Sequence, residues 1–199
     1  MPVFNTKALI EELYKNVQDV VSLTKELAVL DDGILNKQPE AGKWSIAQVI
    51  EHLNSYNRYY LPEMKMALAK GVNSGVRFNA QYKSGWFGDY FTKMMQPKED
   101  GKIANKMNSP KDHRPIAELD ARKVMAEFIE KETDLLHYLQ QALNTNMGKL
   151  RVPISISKFI KLKLGDTFRF LIAHQQRHFV QINNILPLVK QQSASSSAA

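Results

Sequence analysis

The sequence predicts an all-α fold: a four-helix bundle with a long crossover connection between its second and third helices. Three observations point there. Four separate stretches carry apolar residues at the 3.6-residue spacing of an amphipathic helix. Capping residues, glycines and prolines punctuate the ends of those stretches. No stretch reads as a convincing strand, and no repeat of fixed period is visible.

The first helix is expected over residues 5–30. Asn5 serves as N-cap, and Leu9, Leu13, Val17, Val20, Thr24 and Leu27 form the stripe. Asp31-Asp32-Gly33 ends it, and a loop runs on through Pro39 and Gly42. The second helix starts at Ser45. Ser45-Ile46-Ala47-Gln48 has the S-x-x-Q form of a capping box, in which the hydroxyl takes an amide hydrogen and the glutamine reaches back. Pro62 removes one backbone hydrogen bond and is expected to bend or divide this helix. Gly71 and Gly75 close it.

Residues 71 to about 115 are the irregular part, broken by glycines and prolines. One short helix fits around Trp86, Phe87, Tyr90, Phe91, Met94 and Met95. A connection this long suits a crossover or a lid. The third helix is read from about Ile116 to Leu143, with Pro115 near its first turn. Gly165-Asp166-Thr167 gives the stop and N-cap signal for the last helix, which ends near Leu186-Pro187 or frays a few residues beyond. Residues 1–190 thus form one domain, and residues 191–199 a disordered low-complexity tail.

Composition excludes some chemistry. The 199 residues include no cysteine, so disulfides and thiolate ligands are out, and any metal must take nitrogen and oxygen donors. The start of the chain has no basic leader followed by an apolar run, and no stretch reaches the ~18 apolar residues of a membrane span. A cytoplasmic location is expected. The net charge is +7, but the basic residues are mostly scattered. The densest cluster, Lys149, Arg151, Lys158, Lys161 and Lys163, alternates with Ile156, Phe159, Ile160 and Leu162, which are expected to pack a helix or turn onto the bundle. Charge alone therefore does not argue for a nucleic-acid partner.

The last helix carries the chemistry. His174 and His178 are spaced i, i+4, so their Cβ atoms stand roughly 6 Å apart on one face. That spacing can place two imidazoles on one metal ion, as in the zinc motif H-E-x-x-H, or merely put two histidines in separate polar pockets. His52 sits at the margin of the buried face of the second helix. It and His174 each lie roughly 10–12 Å from their helix starts. Similar heights are simplest for parallel helices; an antiparallel pair needs a stagger of one or two turns. His137 falls off the leucine stripe and is expected to be exposed; His113 lies in a proline-flanked loop.

The stretch Trp44-Ser45-Ile46-Ala47-Gln48-Val49-Ile50-Glu51-His52-Leu53 resembles the W-S-x-x-x-x-x-x-H-L signature of the DinB-like (DinB/YfiT) superfamily. His174 through Arg177-His178 and Gln181-Ile182 resembles that superfamily's closing H-x-x-R-H-x-x-Q-I helix. The resemblance covers almost the whole chain. It implies a four-helix bundle, often a homodimer, with a divalent metal held by His52, His174 and His178. Residues 71–115 match no motif of that family.

Three imidazoles would leave open positions on the ion, the pattern of a catalytic site. Nitrogen ligands suit zinc or nickel first, and also copper or iron. The resemblance is to hydrolases and to thiol-dependent transferases and isomerases, so a small-molecule substrate and a low-molecular-weight thiol are both expected. A non-catalytic metal-binding or stress-response module is the alternative. Gln48, Tyr56 and Gln181 lie one turn from a ligand position and can orient an imidazole. For Gln48 the capping box is the competing role, for Tyr56 packing. Glu51 and Arg177 point elsewhere, toward a solvated face. Trp44 packs over the helix start, and Trp86 and Tyr90 either line a pocket or plug the bundle. No G-x-S-x-G or phosphate loop is present.

Overall fold

The computed structural model describes residues 1–98, 101–103 and 107–197. Four long helices dominate: α1 (Thr6–Ala28), α3 (Ile46–Asn73), α5 (Ala121–Ala142) and α6 (Leu164–Ser197). Two short helices join them, α2 (Asp32–Asn36) and α4 (Trp86–Met95). Both α1 and α3 pack against both α5 and α6. The expectation of a helical protein holds at that level.

Two antiparallel strand pairs were not expected. Strand β1 (Val3–Asn5) pairs with β2 (Gln81–Lys83), tying the start of the chain to the crossover. Strand β3 (Arg151–Ile154) pairs with β4 (Ser157–Lys163), so the segment read as a packed helix or turn is a hairpin. Its apolar residues do not pack inward: Ile156, Phe159 and Ile160 are exposed. Only Val152, Ile154 and Leu162 turn to the core.

Helix ends follow local chemistry. Asn5 caps α1 by accepting from the Ala8 amide, and Asp120 caps α5 by accepting from Lys123. That cap starts α5 five residues later than Ile116. Asp31-Asp32-Gly33 does not begin a loop, because residues 32–36 add the turn of α2 that buries Leu35. Ser45 and Gln48 form the full capping box of α3. Pro62 does not divide α3, which runs on to Asn73. Helix α6 begins at Leu164, directly from β4, with Asp166 inside its first turn. It also continues through Pro187 into residues 191–197, the stretch expected as a tail. There Gln192 donates to the Pro39 carbonyl, and Ser193 and Ser195 hydroxyls bond carbonyls four residues back. Residues 198–199 lie outside the described residues.

The relation between α3 and α6 positions the site. Three ring contacts step along the two helices in opposite directions: Tyr60 with Phe170, Tyr56 with His174, and His52 with His178. The helices are therefore antiparallel, not parallel, and α3 overshoots the start of α6 by about two turns. That stagger brings histidines at similar depths in their helices to one level. The apolar interior divides at this level into two clusters. Tyr56, Leu135 and Ala173 belong to one, and Leu53, Phe128 and Phe179 to the other. Between them lies a buried polar layer: His52, Asn57, Glu132, His174, Gln175 and Arg177.

Candidate metal centre

The layer opens on one side. His52 from α3 and His174 and His178 from α6 bring their ring nitrogens together. His174 Nε2 lies 3.2 Å from His52 Nε2 and 3.0 Å from His178 Nε2. Two nitrogens each ~2.0–2.1 Å from one zinc at a tetrahedral angle stand roughly 3.3–3.4 Å apart, close to this spacing. His52, His174 and His178 form a group that could hold a metal ion.

The outer ring nitrogens show why a cation fits. His52 Nδ1 donates to the His113 carbonyl at 2.7 Å, and His178 Nδ1 donates to Gln181 Oε1 at 2.9 Å. Each ring then presents an unprotonated Nε2 to the centre. A neutral His174 could donate one hydrogen from its own Nε2, to one of them only. A lone pair is left over, and a cation, or a hydrogen donor entering from the cavity, can meet it. His174 Nδ1 is itself buried with no hydrogen-bond partner.

Burial keeps the rings neutral, the state that ligates metal. Desolvation pulls His52 down to about 4 and His178 to about 3, and drives His174 well below the ordinary histidine range. Neighbouring histidines push the same way.

The structure sorts the residues singled out from sequence. Gln181 holds an imidazole, as its position one turn past His178 allows. Gln48 does not touch His52: its Oε1 accepts from the Ser45 amide and its Nε2 donates to the Ile116 carbonyl. Tyr56 packs edge-on against His52 at 5.1 Å and tilts onto His174 at 4.4 Å. Trp44 reaches further than the helix start, its ring 5.0 Å from His52. Glu51 points away and, with Glu127, brackets Arg58 on the surface. Arg177 does not face solvent; it is buried and lines the cavity above the histidines. Trp86 and Tyr90 neither line that cavity nor plug the interior, but stack on each other at the surface. His137 is exposed as expected.

His113 is the residue that sequence reasoning missed. A 3-10 turn, Lys111–His113, turns its carbonyl onto His52. Its ring stacks on Tyr56 at 4.0 Å and bonds the Ser55 hydroxyl. No periodicity marks a loop residue of this kind; the one available signal was a histidine among prolines. The crossover thus holds the His52 ring in place.

Above the three nitrogens lies a cavity of about 690 Å³. Its walls include Trp44, Tyr56, Ser109, Arg114, Arg177 and Gln181. The profile of the DinB superfamily matches residues 12–182, a span holding all three histidines and the crossover.

The chain belongs to the DinB superfamily. No curated protein matches it, and no solved structure does. In this DinB-superfamily chain the crossover between α3 and α5 supplies both His113 and one side of the cavity. Among the described residues, no helix is long and apolar enough to cross a membrane.

Proposed function

We propose that this protein is a divalent-metal enzyme with His52, His174 and His178 as ligands. It acts on a small molecule as a hydrolase or a thiol-dependent transferase. One observation carries the reading: three neutral imidazole nitrogens converge at the floor of an open cavity. A nitrogen-preferring ion such as zinc or nickel suits that donor set, and in the site it supplies a Lewis acid that activates water, polarises a carbonyl or holds a thiolate.

The chain's own residues do the rest. The His113 carbonyl and Gln181 fix two ring tautomers so that Nε2 faces inward. Tyr56 and Trp44 wedge His52 from two sides. Arg177, Arg114 and Lys43 give the cavity a positive wall that attracts an anionic substrate or thiol. We extend the proposal to the assembly: the four long helices form a four-helix bundle, and the protein is a homodimer, testable by sedimentation.

The test is a screen of ester, amide and thiol-conjugation substrates with metal-loaded protein. Turnover that disappears in His52→Ala supports the enzyme reading; turnover that survives it contradicts the site. One observation favours a second reading, a non-catalytic metal-binding or stress-response module: no carboxylate lines the cavity among the described residues. One ion per chain with no turnover across the screen selects that reading.

A further inference from the structure

The cavity continues past the histidines. A smaller chamber of about 150 Å³ adjoins it, and Tyr56, Met95, Met107, Asn108 and Pro110 wall both. The rest of the chamber is mostly apolar, with Tyr60, Phe91, Met94, Leu162 and Phe170 around it. An apolar cavity of about 150 Å³ is the size that takes up one benzene ring.

The two spaces are arranged along α6. Phe170, from the apolar chamber, stacks on His174 with ring centroids 6.1 Å apart. Arg177 and His178 follow one turn further on. At about 5.4 Å per turn, an apolar end, a metal-ligand face and a cationic end succeed one another over roughly 11 Å. Arg114 and Lys43, both exposed, add positive charge from the crossover and the α3 approach. Arg114 is braced by donating from Nε to the Ser109 carbonyl. The described residues lining the two spaces include no aspartate or glutamate.

We propose that the substrate is a small anion bearing one aromatic ring or a short branched alkyl group: the apolar part fills the chamber beside Phe170, and the negative group faces Arg114, Lys43 and Arg177. Between these ends the reacting group lies over the three histidines, the one element that rests on the metal reading. A free amino acid zwitterion fits poorly, since its ammonium meets a positive wall with no carboxylate among the described lining residues to receive it. A long acyl chain exceeds the chamber.

Ligand-observed NMR titration of the full chain tests this, with zinc and again after chelation. The probes are 3-phenylpropanoate, propanoate, 3-phenylpropan-1-ol and 3-phenylpropylammonium. Burying the ring is expected to make 3-phenylpropanoate bind at least tenfold tighter than propanoate. The carboxylate is expected to bind at least fivefold tighter than the alcohol, and the ammonium weakest. Ile156→Trp, at the exposed rim of the chamber, and Met94→Trp, in its wall, should each collapse the ring preference while propanoate binds as before. Arg114→Glu should collapse the charge preference and leave the alcohol's affinity in place. Equal binding of 3-phenylpropanoate and propanoate overturns the proposal, as does ammonium binding equal to the carboxylate. Zinc binding without the ring preference defeats the chamber alone. A ring preference without any zinc binding supports the chamber and defeats the metal reading alone.

Discussion

His174 and Gln175 are neighbours on α6 and both are buried, yet they serve opposite halves of one polar layer. His174 turns to an open cavity, where three ring nitrogens face one another with too few hydrogens between them. Gln175 turns to Glu132, whose Oε1 accepts from Gln175 Nε2 at 2.6 Å and from Asn57 Nδ2 at 2.8 Å. That second group joins α3, α5 and α6 and is sealed from solvent. Burial raises Glu132 to about 8, so at neutral pH it is mostly protonated. Glu132 Oε2 and the amide oxygens of Asn57 and Gln175 are all buried without a partner, and a proton on Oε2 adds a donor among these acceptors. The difference is instructive. Convergent acceptors beside a cavity invite a cation from outside, whereas a carboxyl ringed by amides supplies its own proton and locks helices together.

If that contrast is right, breaking each half should damage a different property. The largest effect on stability is expected from Glu132→Ala. It strands two buried amides and opens a void, costing about 3 kcal/mol in chemical denaturation, while metal stoichiometry stays unchanged. Glu132→Gln keeps the shape and sharpens the same point. Between pH ~4.5 and ~8 the native carboxyl holds a proton that the unfolded chain has released, so wild-type stability falls as pH rises through that window. Thermal melts of Glu132→Gln should lack that slope; an identical slope in both proteins would mean that Glu132 is ionised in the native state.

On the open side, Gln181→Ala frees the His178 ring. Metal affinity measured by competition with a chelator should drop roughly tenfold to a hundredfold, with little change in the melting temperature of the metal-free chain. The smallest effect belongs to Gln48→Ala. It removes the capping box of α3 and should cost about 1 kcal/mol, leaving metal affinity untouched. A metal defect in that variant would show that the cap and the site are coupled.

Much of this layer was legible as residues but not as partners. The Ser45–Gln48 cap and the i, i+4 histidine pair are local patterns: the cap forms, and the two imidazoles face one group with His52. Glu132 and Gln175 lie on different helices, and nothing local says that one would meet the other across the core. The helix direction stayed open between parallel and staggered antiparallel, because depth from a helix start does not encode stagger; the ring contacts from Tyr60–Phe170 to His52–His178 do. The His113 carbonyl was out of reach, since a backbone acceptor in a loop leaves no trace in side-chain pattern. The β3–β4 hairpin was hidden by its composition: Ile156, Phe159 and Ile160 look like core residues and face solvent.

The most direct test of the proposed metal centre is a calorimetric zinc titration of chelator-treated protein, wild type beside His174→Ala. One ion per wild-type chain is expected, with a rise in melting temperature as zinc concentration increases and at least a hundredfold weaker binding in His174→Ala. Zinc binding of equal strength in the two proteins would contradict the proposed centre.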